Sequence, residues 1–146
     1  KSAAYASSCG VPQGSVLGPL LFVVYVRDIP HVVRPYGVTP TQFADDISLR
    51  ASAETPAIVA QRLSGAVQHL SDWLRQLGLI LNETKTQILP IPPHRAPPFA
   101  LRVTCNSQDL PVVPSAKYLG LHFDTSMCWQ TMVQRVALQA RTACCM

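Results

Sequence analysis

The chain has 146 residues, 48% hydrophobic and 14% charged, with nine arginines and three lysines against eight acidic residues for a formal net charge of +4. That length suits one domain able to bury about two thirds of its unfolded surface without covalent staples. The five cysteines, Cys9, Cys105, Cys128, Cys144 and Cys145, are odd in number and lack C-x-x-C spacing, which argues against a disulfide framework or a zinc ribbon and favours reduced thiols. The longest apolar run, LLFVVYV, is too short for a bilayer and no signal peptide is present, so an intracellular chain, nuclear or cytoplasmic, with no membrane partner is expected. A composition rich in core and poor in charged surface implies that some apolar face is meant for a neighbour. The basic balance, spread without a dense run, leans mildly toward a polyanion. The chain begins at Lys1 and ends at Met146 inside a helical pattern, so it reads as a piece of something longer.

In chain order, Ala3 to Cys9 is strand-like and GVPQG, Gly10 to Gly14, breaks it with a turn. In SVLGPLLFVVYVRDIP, Gly18 and Pro19 resemble a helix start and Pro30 a stop, but the β-branched run Leu20 to Val26 fits a buried strand equally well. His31 to Gln42 reads as a loop. Phe43 and Ala44 before, and Ile47, Leu49 and Ala51 after, place Asp45 and Asp46 at a hairpin tip.

The clearest helix follows. Thr55 caps it, Pro56 opens it, Val59, Leu63, Val67, Leu70, Leu74 and Leu77 recur at helical spacing, and Gly78 ends it. LILNETKTQILP reads as a turn and a strand, Pro90 to Pro98 as a proline-rich loop, and Leu101 to Cys105 and Lys117 to Phe123 as strands separated by NSQDLPVVPSA. From Trp129 the spacing of Met132, Val133, Val136, Leu138 and Ala140 predicts a final helix.

The stretch FADDISL puts two adjacent carboxylates into an apolar surrounding, where burying even one uncompensated charge costs several kcal/mol or about that order. A hairpin tip removes the conflict, and adjacent aspartates are hard oxygen ligands of the kind Mg²⁺ takes alongside phosphates and water. Two such ions about 3.5 to 4 Å apart serve phosphoryl displacement in polymerases and nucleases. An Asp-Asp pair alone is more often a plain turn or cap.

The ordered set GVPQGSVLGPLLFVVYVRDIP, FADD, WLRQLGLILNETKT and KYLGLHFD, from about Cys9 to Trp129, resembles the reverse transcriptase domain of non-LTR, LINE-type retrotransposons, most like the jockey and chicken-repeat-like groups. The resemblance implies an α+β fold: the C-terminal portion of a palm over residues 1–124, an antiparallel sheet with helices on one face, then the start of a thumb over 125–146. It also resolves the run after Pro19 as a buried palm helix.

The implied activity is RNA-directed DNA polymerisation, with Mg²⁺ or Mn²⁺ as cofactor and with RNA template, DNA primer and deoxynucleoside triphosphates as partners. By the same resemblance Asp45 would ligate metal directly with Asp46 beside it. Lys85 would protonate or stabilise the departing pyrophosphate, and Gln13, Gly14 and Phe43 would meet nucleotide or template. Leu119 and Gly120 would form a hairpin against the primer end. The family's further metal-binding aspartate, on a strand before the glycine-rich segment, is not matched here, and Asp28, Asp72, Asp109 and Asp124 fall where the family uses none. The fragment alone is therefore expected to be inactive and to need the upstream fingers and palm segment of the same polyprotein. Two other readings compete: a degenerate or domesticated remnant that binds RNA or protein without catalysis, and a metal-dependent nuclease, for which no nucleophile-activating base lies near the pair.

Overall fold

The computed structural model describes residues 14–93 and 100–144. Their elements are α1 (Gly18–Tyr25), α2 (Ile29–Val33), a 3₁₀ turn (Arg34–Tyr36), β1 (Thr39–Phe43), β2 (Asp46–Arg50), α3 (Pro56–Gln76), β3 (Thr104–Cys105), β4 (Gln108–Asp109), β5 (Ser115–Tyr118), β6 (Leu121–Asp124) and α4 (Gln130–Cys144). The strands pair as antiparallel hairpins, β1 with β2, β3 with β4 and β5 with β6. Helices and short antiparallel strands thus mix, as expected of an α+β fold. The expected strand at Ala3 to Cys9, the turn at Gly10 to Gln13 and the His94 to Pro98 part of the proline-rich loop lie outside the described residues.

α3 organises the rest. The Thr55 hydroxyl accepts the Ile58 amide at 3.4 Å and Pro56 stands in the first turn, where its missing N–H costs nothing. At the other end Leu77 closes the helix and Gly78 follows at φ +73°, the left-handed exit that glycine permits. Leu63, Ala66, Val67, Leu70, Ser71 and Leu74 are buried on one face, so the apolar stripe read from the sequence is the packed one. Against it lie Ile29, Val32 and Val33 of α2, Val38, and Leu101, Val103, Cys105 and Leu110 around the β3–β4 hairpin.

Several local expectations are corrected. Pro30 does not stop a helix; it occupies the first turn of α2, because α1 has already ended at Tyr25 and a proline in a first turn loses no hydrogen bond. The expected loop His31 to Gln42 is instead the end of α2, the 3₁₀ turn and most of β1. The expected strand in LILNETKTQILP shrinks to a single parallel bridge between Ile88 and Val112. Pro90, Pro111 and Pro114 flank that bridge and have no N–H to extend a ladder. Leu101 to Cys105 is strand only at its end, where the Thr104 amide turns to the Ser64 hydroxyl at 3.0 Å. Lys117 to Phe123 is not one strand but the two arms of the β5–β6 hairpin.

The run after Pro19 is a helix, but it is not buried. The Ser15 hydroxyl accepts the Gly18 amide at 3.0 Å and starts α1. Within the helix only Gly18 is buried, while Leu20, Leu21, Val23 and Val24 remain 61%, 51%, 48% and 53% exposed. Phe22 leans on the core, the following Val26 enters it, and the Tyr25 hydroxyl donates to the Leu77 carbonyl at 2.6 Å. These contacts attach one side of a helix that is apolar all round, a pattern suited to burial on every side.

Two expectations follow from this packing. A Cβ on Gly65 would lie 2.6 Å from the Tyr36 ring. Gly65→Ala, which helix propensity alone would favour by about 1 kcal/mol, should instead lower the denaturant midpoint through overpacking of about 1–3 kcal/mol; a Tyr36→Leu background should remove the penalty. The bare face of α1 should drive concentration-dependent self-association in sedimentation velocity. Leu21→Gln with Val24→Gln should return the chain to monomer, and persistence of the oligomers would exclude α1 as their source.

Candidate active site

In the β1–β2 hairpin, Phe43 pairs with Asp46, Gln42 with Ile47 and Pro40 with Leu49. Ile47 and Leu49 lie against the core, so the pleat sends Phe43 and Asp46 to the opposite, exposed face. Ala44 and Asp45 form the loop. Ala44 has φ +52°, and the Gln42 side-chain amide donates to its carbonyl at 3.1 Å, bracing the turn. Asp45 and Asp46 are both exposed, and among the described residues neither carboxylate has an ion pair or hydrogen bond. The hairpin therefore presents two carboxylates and an aromatic ring at one bare tip.

Lys85 sits in a different turn, past the end of α3. Asn82 builds that turn: its side-chain oxygen accepts the Lys85 amide at 3.1 Å and the Thr84 hydroxyl at 2.7 Å, and its carbonyl accepts the Thr86 hydroxyl at 2.8 Å. Lys85 is exposed and has no ion pair among the described residues.

Leu119 and Gly120 form the tip of the β5–β6 hairpin with φ +48° and +83°, the double left-handed pattern of a two-residue type I′ loop. Glycine suits the second position, but leucine carries a left-handed cost of roughly 1–2 kcal/mol at the first. Beyond β6 the Asp124 carboxylate accepts the Ser126 amide at 3.0 Å and its hydroxyl at 2.5 Å, which holds the carboxyl below its usual range. The Phe123 and Trp129 rings meet with centroids 5.7 Å apart, leading into α4. Gly14 has φ +85° and open space around it, so within this chain its backbone conformation, not crowding, calls for glycine. Gln13 lies outside the described residues. The expected site residues thus stand on separate turns, and no hydrogen bond or ion pair among the described residues joins the FADD tip, the Lys85 turn and the Leu119 tip.

Sequence reasoning missed the residues that brace these turns. Gln42 and Asn82 act locally. Ser71 lies in the apolar stripe, 2% exposed, and with Gln68, Glu83, Cys105 and Asn106 forms a polar cluster where α3, the Lys85 turn and the β3–β4 hairpin meet. A serine four residues after Val67 and three before Leu74 was a visible signal, as was the Asn-Ser pair between short strand-like runs. Burial pushes the Cys105 thiol up, the Ser71 hydroxyl opposes this and the Glu83 charge adds to it.

The family model described as reverse transcriptase (RNA-dependent DNA polymerase) matches residues 1–123. The chain belongs to the reverse transcriptase family. It is 31% identical over 140 residues to the probable RNA-directed DNA polymerase from transposon X-element of Drosophila melanogaster, covering 93% of this chain and 15% of that protein. Over 142 residues it is 31% identical to the corresponding protein from transposon BS of the same species, covering 86% of this chain and 16% of the relative. The RNA-directed DNA polymerase from mobile element jockey of Drosophila funebris is 25% identical over 138 residues, covering 91% of this chain and 15% of the relative. These relatives are non-LTR retrotransposon proteins, and the chain spans about a sixth of their length. No solved structure matches it.

Reverse transcriptases generally use divalent metal ions. The FADD tip suits such a partner by the chemistry of its donors: two hard carboxylate oxygen groups, solvent-facing and uncommitted, which leave phosphate and water to complete an octahedral shell. Among the described residues no three His, Cys, Asp or Glu side chains converge as a metal-binding group, so the tip offers a pair and no more.

The Cys105 environment gives a pH test. An ordinary thiol ionises near pH 9.0, and the folded-state value is raised. The unfolded chain therefore releases this proton first as pH climbs. The stability from keeping the thiol neutral is complete below pH 9.0 and is lost as pH rises through the folded value. Cys105→Ala should show a shallower fall in denaturant midpoint above pH 9.0 than the native chain. At neutral pH, mass-spectrometric alkylation should label exposed Cys128 well before buried Cys105.

Proposed function

We propose that the chain is the palm portion, with the first part of the thumb, of an RNA-directed DNA polymerase that copies an element's RNA into DNA from a primer 3′ end. The observation that carries the reading is the coincidence of a reverse transcriptase match across residues 1–123 with a hairpin that presents Asp45 and Asp46 uncommitted. Residues 1–124 would be palm and 125–146 the beginning of the thumb, consistent with a strand ending at Asp124 and a helix starting at Gln130.

In this reading Asp45 binds metal directly and Asp46 shapes the tip beside it, with the third carboxylate supplied by an upstream strand of the complete polymerase. Bound Mg²⁺ or Mn²⁺ would offset charge on the attacking and leaving oxygens. The primer 3′-hydroxyl would attack the α-phosphorus of the incoming deoxynucleotide, losing its proton to solvent as a P–O bond forms, while the bond to the bridging oxygen breaks and pyrophosphate departs. Lys85 places a positive charge, and a transferable proton, near that leaving group. Phe43, Gln13 and Gly14 border the nascent base pair and the Leu119–Gly120 tip meets the primer. The apolar faces left open on α1 fit a chain completed by fingers and palm segments of the same polyprotein.

Single-turnover incorporation by the complete polymerase tests the roles. Asp45→Asn should abolish extension on an RNA template, whereas Lys85→Ala should slow it by about 10²- to 10⁴-fold, the usual worth of a general acid. Equal or reversed losses would refute the assignments. The 146-residue chain by itself should not extend a primer with either metal; robust extension would mean that the pair at the hairpin tip suffices.

A further inference from the structure

The turn that carries Lys85 is shaped from within but anchored from outside. Asn82 satisfies the amides and hydroxyls of the turn, and among the described residues Glu83 is the one side chain of Asn82 to Thr86 with a hydrogen bond beyond it. Its partner is the Asn106 carboxamide at the tip of the β3–β4 hairpin. Asn106 is in turn clamped to α3. Its backbone amide donates to Gln68 Oε1 at 2.7 Å, its Oδ1 accepts from Gln68 Nε2 at 3.0 Å, and its Nδ2 also reaches Ser71 Oγ at 3.3 Å.

Two features make this more than hairpin chemistry. Asn106 stands at φ +49°, a conformation that asparagine and aspartate adopt more readily than other side chains, and that backbone accompanies a carboxamide whose acceptor and donors are all engaged. Glu83, half-buried and two residues from Lys85, has no cation partner among the described residues. The amide of Asn106 engages a carboxylate that stands two residues from Lys85 in the chain and points it toward the hairpin tip. We propose that Asn106 is a positioning residue: through Glu83 it fixes the Lys85 turn against α3 and withholds the Glu83 carboxylate from Lys85, leaving that ammonium free for a phosphate-bearing leaving group. The catalytic half of this proposal rests on the role given to Lys85 above; the anchoring half does not.

The test is a donor–acceptor swap. Asn106→Asp keeps the tolerance for the left-handed backbone but sets a carboxylate against Glu83, so the anchor breaks. Glu83→Gln added to it returns an amide donor opposite a carboxylate acceptor and restores the link with the roles exchanged. In the 146-residue chain, amide hydrogen exchange at Lys85 and Thr86 should accelerate about tenfold in Asn106→Asp, the worth of a hydrogen bond to a charged group, and return in the double variant. In the complete polymerase, Asn106→Asp should lower the single-turnover incorporation rate about tenfold with nucleotide affinity unchanged, show no added loss on Lys85→Ala, and recover in the swap. Glu83→Gln alone, which keeps an acceptor for the Asn106 amide but loses its charge, should fall between native and Asn106→Asp in both readouts. Unchanged exchange at Lys85 in Asn106→Asp, or a double variant as impaired as the single one, would overturn the proposal. If Lys85→Ala proves as active as native enzyme, the catalytic role of Lys85 falls and takes the catalytic half with it, while the exchange contrast still decides the anchor.

Discussion

Burial of one face of α3 is the contact on which the other elements depend. Leu63, Ala66, Val67, Leu70 and Leu74 form a continuous apolar stripe, and α2, the 3₁₀ turn and the β3–β4 hairpin all lie against it. Fully burying a Leu or Val side chain contributes about 1.5–3 kcal/mol. The three hairpins gain little from one another, since each is an isolated two-stranded ladder and such ladders are marginal in water. Their place in the molecule is set by what they bury, as with Ile47 and Leu49 beneath the FADD hairpin and Val103 and Cys105 beneath β3.

The residues to which the proposed function assigns roles stand where the chain reverses. The acidic pair, Lys85, the Leu119–Gly120 tip and Asn106 all occupy turns, and several of these turns hold non-glycine residues at positive φ: Ala44, Asn106, Ser107 and Leu119. Such backbone states persist only where neighbouring groups over-determine them. The Gln42 amide on the Ala44 carbonyl and the Gln68 pair on Asn106 are that kind of restraint. The reverse transcriptase segment thus combines a helix–hairpin core with short tips, some locked from within as at Asn106 and others, at Asp45, Asp46 and Lys85, leaving charged side chains exposed.

α1 is the element this core satisfies least. Its residues are apolar around the whole helix, while the described chain covers only the side marked by Phe22. A hydrophobic fraction of 48% in 146 residues foreshadows the surplus, and the relatives, of which this chain spans about a sixth, are proteins large enough to absorb it.

The sequence by itself determined the elements whose information is local. The Thr55–Pro56 cap, the stripe from Val59 to Leu74 and the exit at Gly78 specify α3 because side-chain spacing and capping act within a few turns. Alternation around Asp45 and Asp46 specifies the hairpin for the same reason. The motif order was enough for the reverse transcriptase family. Tertiary structure decided what local pattern leaves degenerate. Pro30 and Pro92 are the same residue type, yet one opens a helix and the other lies in irregular chain, because a proline's effect depends on whether its missing N–H was needed. The run Leu20 to Tyr25 has the composition of a buried strand and is a helix with most of its side chains exposed. The link from Gln68 through Asn106 to Glu83 joins residues up to 38 positions apart. No period or motif encodes it, since a hydrogen bond between distant side chains exists only once hydrophobic burial has brought their backbones together.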